Sequence, residues 1–308
     1  MKYWIFGAGK FGRQCYEIFS NKLDIIGFID NNKEKNGISY CGKIVLFYSE
    51  FLKHFNKEEE RIIIANARCS DIYIQLMDDM LENYVEKVYR PRRLIKFEEY
   101  WNKTFNSTCG EELWLKDYFS TYPKSYKGIY VDVGAFHPFY ASNTKWAYDV
   151  GWRGINIDAN IDSIKLFKKF RPEDKNINCG VSDLEGELEF YIYNEADVNT
   201  FDKDIFKDVD GLELKEIRKV QVKTLNRILE ENNIFHIDLL DIDVEGLDEK
   251  IVMSFDWEKY CPQCVLIEIL NKNSIEEILD TALHKKMTLE GYRLVNYAIL
   301  TAMYVKIK

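Results

Sequence analysis

An apolar strand running straight into a glycine turn occurs twice in this chain, as YWIFGAGKFG at residues 3–12 and as IYVDVGA at 129–135. Glycine there lets the backbone swing tightly from strand to helix and approach a ligand closely, so each occurrence marks the first strand of an α/β unit. The chain reads as two doubly wound, Rossmann-like folds in series. In the first, the runs YWIF (3–6), IIGFI (25–29), KIVLF (43–47) and RIIIA (61–65) alternate with polar or helix-periodic stretches, as in a parallel sheet with crossover helices. In the second, GIYVDVGA (128–135), RGINIDAN (153–160), NINCGVS (176–182), HIDLLDIDV (236–244) and CVLIEI (264–269) do the same. The closing GYRLVNYAILTAMYVKIK holds two strand runs with no room for a crossover helix, which predicts an antiparallel hairpin. Residues 91–127 open at Pro91 and continue as an aromatic, helix-compatible stretch without a strand run. The expected organisation is α/β: a nucleotide-binding domain over 1–90, a helical connector over 91–127 and a second domain over 128–308.

Composition narrows the partners. At 308 residues the length suits two domains, and 46% hydrophobic residues suffice for sizeable cores. The net charge of −9 offers no long-range attraction to phosphate backbones or anionic lipid, so nucleic acid is not an expected partner. No apolar run approaches the ~18 residues that cross a bilayer, and the amino terminus lacks a cleavable apolar leader. Seven cysteines, an odd number, are scattered as reduced thiols of a cytoplasmic protein would be. Cys261 and Cys264 form one CxxC, without the second pair or spaced histidines that zinc needs. A homo-oligomer is compatible with all of this.

Gly7, Gly9 and Gly12 spell GxGxxG between a strand and an amphipathic stretch, and Asp30 ends the next strand. This is the context of a diphosphate-binding turn with a carboxylate for ribose hydroxyls; the same glycines also permit tight strand-to-helix packing without a ligand. FGAGKFG followed by IIGFIDNN resembles the amino-terminal nucleotide-sugar-binding domain of PglD-type sugar acyltransferases over roughly residues 1–80. The resemblance implies a nucleotide or nucleotide sugar there.

In the second domain, Asp132 and Gly134 end the first strand, Asp158 the second, and Ser182 and Asp183 the third. Three successive strand ends can supply contacts to the methionine, ribose and adenine parts of S-adenosylmethionine. Any one acid alone is more often a turn or helix cap. The segments VDVGAFHP (131–138), SNT (142–144), GWRGINIDAN (151–160), GVSDLEG (180–186), VKTLNRIL (222–229), DIDVEGLD (241–248) and VLIEI (265–269) resemble the FkbM family of S-adenosylmethionine-dependent methyltransferases. The resemblance implies a class I methyltransferase sheet, a sugar-hydroxyl acceptor on a nucleotide-activated sugar or surface-polysaccharide precursor, and cofactor contacts at Asp132, Gly134, Asp158 and Asp183; Ser182 at the third strand end and Asn143 in the SNT segment are further candidate contacts. Asp243 and Glu245 would face the transferred methyl. Pro138 departs from the glycine common at its place, and Asp241 adds a negative charge to the fourth strand end.

A sugar hydroxyl needs a general base, worth about 10²- to 10⁴-fold. His137 in the first loop, with an ordinary pKa near 6.5, is one candidate, and a role in bonding the loop backbone is the alternative. Asp241, Asp243 and Glu245 form an alternating row that places their carboxylates on one face. They can bind Mg²⁺, act as acid, base or substrate ligand, or cap the next helix. Glu268 reads as a wall acceptor. The charged stretch 195–219 is a lid candidate or a solvated helix or loop, and Tyr118, Phe119, Tyr122 and Tyr126 are candidates for sugar stacking or domain packing. Two rival functions remain: an NAD- or nucleotide-sugar-dependent enzyme using the first domain, and a catalytically silent cofactor-binding scaffold.

Overall fold

The apolar runs of the first 96 residues pair as one twisted sheet. Parallel strands β1 (Lys2–Phe6), β2 (Asp24–Asp30), β4 (Lys43–Phe47), β5 (Glu60–Ile64) and β6 (Val85–Arg90) lie in the order β4-β2-β1-β5-β6, with antiparallel edge strands β3 (Ser39–Tyr40) and β7 (Arg93–Lys96). Helices α1 (Lys10–Phe19), α2 (Tyr48–His54) and α3 (Cys69–Asp78) connect them. Side chains alternate along each strand. Trp4, Phe6, Ile62 and Ile64 therefore build one core, whereas Tyr3, Ile5, Phe28 and Ile63 build another. The computed structural model describes residues 1–66, 69–90, 93–96, 106–193, 198–206, 212–272 and 274–307, and the chain divides into two units, Met1–Thr104 and Phe105–Lys308.

The second unit begins with α4 (Glu111–Phe119) and then follows the expected α/β series: β8 (Ile129–Val133), α5 (Lys145–Asp149), β9 (Arg153–Asp158), α6 (Ile161–Phe170), β10 (Lys175–Asn178) and the short β11 (Gly180–Val181). After β12 (Gly186–Tyr193) and β13 (Leu214–Lys223) come α7 (Leu225–Glu231), β14 (Leu239–Ile242), α8 (Asp248–Ser254), α9 (Trp257–Tyr260), β15 (Cys264–Glu268), α10 (Ile275–Leu279), α11 (Ala282–Leu289), β16 (Tyr292–Ala298) and β17 (Thr301–Lys306). The main sheet runs β10-β9-β8-β14-β15-β17-β16; its first five strands are parallel and β16–β17 is the expected antiparallel hairpin. The order reverses beside β8, so the crevice for a ligand lies beyond the carboxyl ends of β8, β9 and β14.

Two stretches differ from expectation. Within 91–127, Arg93–Lys96 is a strand paired antiparallel to β6, and residues 91–92 and 97–105 lie outside the described residues. The helix α4 packs inside the second unit: Leu115 and Phe119 join Tyr130, Trp146 and Trp152, with Tyr118, Tyr122 and Tyr126 against them. Tyr118, Phe119, Tyr122 and Tyr126 pack within the second unit, and none of them is in the described lining of the main cavity. Within the lid candidate 195–219, residues 214–219 belong to β13, which pairs antiparallel with β12 in a small sheet β11-β13-β12; 195–197 and 207–211 lie outside the described residues.

Candidate active site

In the second unit, a cavity of about 290 Å³ opens beyond the strand ends. Gly134, Phe136, Tyr140 and Asn143 line it from the loop after β8, Asp158 and Asn160 from the end of β9, and Cys179, Gly180 and Val181 from the third strand end. Asp243, Val244 and Glu245 follow β14, and Glu268 ends β15. Phe190, Asn199 and Phe201 from the small sheet and its loop, and Thr108, Cys109 and Glu111 at the start of α4, complete it. The stretch read as a connector thus contributes to the site.

The loop after β8 is held in an unusual shape. Gly134 adopts φ +82°, and a Cβ there would stand 1.7 Å from the Asp243 carbonyl oxygen. Only glycine lets the β8 and β14 loops approach so closely. Asp158 organises the same loop from the side: its Oδ2 accepts from Phe136 N at 2.8 Å and its Oδ1 from Asn160 N at 2.6 Å. Each oxygen keeps a second lone pair for a ligand. Burial pushes the Asp158 carboxyl up to about 6 despite these two donors.

Arg171 anchors the SNT segment, a role with no sequence signal. It is 1% exposed and donates to Thr144 Oγ1 at 2.8 Å, Ser142 Oγ at 2.8 Å, Pro138 O at 2.7 Å and Asn156 Oδ1 at 3.5 Å. Thr144 in turn donates to Asp132 Oδ2. Asn143, between the two anchored residues, lines the cavity while its Nδ2 donates to Asp241 Oδ1 at 3.3 Å. Asp132 and Asp241 are direct partners in the β8–β14 register. Both carboxylates are buried within the sheet layer, so neither lines the cavity. Burial raises the Asp132 carboxyl to about 6, and burial together with Asp132 raises Asp241 well above its ordinary value.

Several expectations are corrected here. Of Asp132, Asp158 and Asp183, only Asp158 lines the cavity. Asp183 is exposed, and Ser182 Oγ donates to its Oδ1 at 3.0 Å; the third strand end contributes through Cys179, Gly180 and Val181 instead. His137 is buried with Nδ1 accepting from Phe139 N at 3.1 Å and Tyr140 N at 3.0 Å. Burial and the Arg171 charge push its pKa down to about 3. It is a neutral loop anchor absent from the described lining, rather than a base of ordinary pKa. The acidic row is also redistributed. Strand β14 ends at Ile242, so Asp241 stays in the sheet, while Asp243 and Glu245 reach the cavity and meet Glu268. Carboxylate oxygens of these three lie within 4.8 Å of one another. Burial and the neighbouring acids raise Glu268 to about 11 and Asp243 to about 7. The loop carrying Glu245 (φ +54°) is fixed by Asp248, whose carboxylate accepts from Val244 N and Gly246 N, each at 3.0 Å.

The first unit has a cavity of its own, of similar volume and lined by fewer residues. This cavity of about 300 Å³ is lined by Phe6, Gly7, Asp30, Asn31, Asn66, Asp71, Ile72 and Gln75. Gly7 (φ +121°) and Asp30 are both in its lining. Gly12 is not in the described lining: a Cβ on it would stand 1.8 Å from Gly7 O, so its role is close packing. Gly9 is not in it either, and a Cβ on Gly9 would meet nothing within 4 Å.

Among known families, the methyltransferase FkbM domain matches residues 132–294, from the first strand end of the second unit into its last hairpin. The chain belongs to the FkbM methyltransferase family. Residues 2–69 match the PglD N-terminal domain. A solved structure described as methyltransferase FkbM from Methylobacillus flagellatus KT aligns with 99% of this chain and 89% of that one, at 10% sequence identity and a TM-score of 0.40. No curated protein matches the chain. The FkbM match takes in Gly134, Asn143, Asp158, Asp243, Glu245 and Glu268, that is, most strand-end residues of the cavity. Glu111 precedes it, yet it is 2% exposed at the cavity edge, with Thr301 Oγ1 donating to its Oε1 at 3.1 Å. Sequence reasoning missed Glu111, Asn199 and Arg171. Among the described residues, no helix is long and apolar enough to cross a membrane.

Proposed function

We propose that the second unit transfers a methyl group from S-adenosylmethionine to a sugar hydroxyl, on a nucleotide-activated sugar or a surface-polysaccharide precursor. The carrying observation is the sign of the cavity's ionisable groups: Glu111, Asp158, Asp243, Glu245 and Glu268 line it and no Lys, Arg or His is among the described lining residues, so what charge it carries is negative. Such a hollow favours a cationic guest, and a sulfonium is one. Gly134, Asn143, Asp158 and the Cys179–Val181 strand end would hold the cofactor. Asn199 Nδ2, buried without a partner, is a free donor in the same wall. When bound, S-adenosylmethionine supplies an electrophilic methyl on a good leaving group.

The protein's share is placement and proton handling. The walls from Phe136, Tyr140, Phe190 and Phe201 would exclude water and hold an acceptor oxygen beside the donor. Asp243 and Glu245 would accept hydrogen bonds from the acceptor hydroxyl and take up its proton. The first unit would bind the nucleotide part of a sugar nucleotide between Gly7, Asp30 and Gln75. The test is transfer of labelled methyl groups across a panel of free and nucleotide-linked sugars. Label on a saccharide oxygen is expected; label on nitrogen or carbon acceptors only would overturn the assignment.

A further inference from the structure

We propose that Asp243, Glu245 and Glu268 form a binding site for a divalent cation of the Mg²⁺, Mn²⁺ or Ca²⁺ class. One carboxylate oxygen from each lies within 4.8 Å of the others. Three carboxyl groups thus converge on one point of the wall, from two adjoining strand ends. Glu268 adds an independent sign. Its side chain is 5% exposed on the cavity wall, and its buried Oε2 has no hydrogen-bond partner. A buried carboxylate oxygen left without a donor is costly. A cation in the cavity, taking the place of the Glu268 proton, gives that oxygen a partner.

The donor set selects the cation. It is all oxygen, with neither thiolate nor imidazole in the cluster, which suits hard cations and disfavours Zn²⁺ or Cu²⁺. Asp243 and Glu245 come from the loop after β14 and Glu268 from the end of β15, so three ligands stand on two neighbouring strand ends. Acceptor hydroxyls and water would complete the coordination, and a bound cation would orient adjacent hydroxyls and favour loss of the reacting proton. That role rests on the proposed methyl transfer; the site itself does not.

The test is Mn²⁺ titration of the full-length protein, followed by electron paramagnetic resonance, with neither methyl donor nor acceptor present. One saturable site per chain is expected, displaced by Mg²⁺ and weakened at least tenfold in Glu245→Gln and Glu268→Gln. Circular dichroism checks that each variant folds; if Glu268→Gln does not, the half-buried Glu245→Gln carries the comparison alone. The inference is overturned if the wild type shows no site tighter than about 10⁻³ M, the weak end for oxygen-ligand sites, or if the folded variants bind as the wild type does. Methyl transfer undiminished by EDTA, with no Mn²⁺ site, would remove the cation and leave the transfer; a Mn²⁺ site without transfer to any acceptor would do the reverse.

Discussion

Asp30 and Asp158 are the same device built twice. Each ends the second strand of its unit, accepts a backbone N–H from the loop after the first strand, and accepts another from two residues further on. Ala8 N and Asn32 N donate to Asp30 at 2.9 and 2.8 Å, and Phe136 N and Asn160 N donate to Asp158 at 2.8 and 2.6 Å. The difference is one lysine. Lys35 Nζ sits 2.9 Å from Asp30 Oδ2 and also donates to Ala8 O at 3.0 Å. Among the described residues, Asp158 has no such cation, and its cavity holds four more acids. A shared backbone scaffold thus presents a carboxylate paired with a lysine in one unit and a carboxylate grouped with four further acids in the other. Fold alone does not set the guest; the charge placed on it does.

The largest expected effect tests whether the second unit has its own support. Arg171→Met should cost about 3–5 kcal/mol, as removal of a buried charge from its partners does, because Ser142, Thr144 and Pro138 O all lose a donor. Scanning calorimetry should show the second unit melting earlier while the first is unmoved; a common shift of both would break the comparison. Next come the glycines. Gly134→Ala should cost about 2–4 kcal/mol from the forced φ and the backbone clash, with loss of methyl transfer. Gly9→Ala should change stability by less than about 0.5 kcal/mol, since space is open around it. Urea unfolding of both variants checks this.

A smaller effect concerns acid. Unfolded, His137 takes a proton below about pH 6.5; folded, it stays neutral down to about 3. The unfolded state therefore binds more protons across that window, and His137 makes stability fall as pH falls. The raised carboxyls of Asp132 and Asp158 act oppositely between their ordinary range and about 6, where the folded state holds more protons. Between pH 7 and 5, His137→Gln should lose about 2 kcal/mol less stability than the wild type. Equal losses would show that the ring is not held neutral.

The strand ends were legible because apolar runs bounded by glycine or acid are short-range signals, and both sheets follow them. The β12–β13 pairing was not: β13 reads LKEIRKVQVK, and of its ten residues only Val222 is buried, so alternation with a core is almost absent. Period-two reasoning put Asp241, Asp243 and Glu245 on one face, but it could not say where β14 stops. One turn of chain separates a buried sheet carboxylate from two cavity ligands. Asp132 lies outside the described cavity lining because Thr144, itself held by Arg171, donates to its carboxylate. Glu268 carried a weak signal as an acid at a strand end, and Arg171 carried none, because its partners lie 15 to 33 residues away in sequence.

Calorimetric titration of S-adenosylmethionine into the wild type, Asp158→Asn and Asp30→Asn addresses the charge asymmetry most directly. One site is expected in the wild type, unchanged by Asp30→Asn and weakened at least tenfold, about 1.4 kcal/mol, by Asp158→Asn. Binding lost in Asp30→Asn but kept in Asp158→Asn, or absent from the wild type, would contradict the assignment of the sulfonium donor to the acidic cavity.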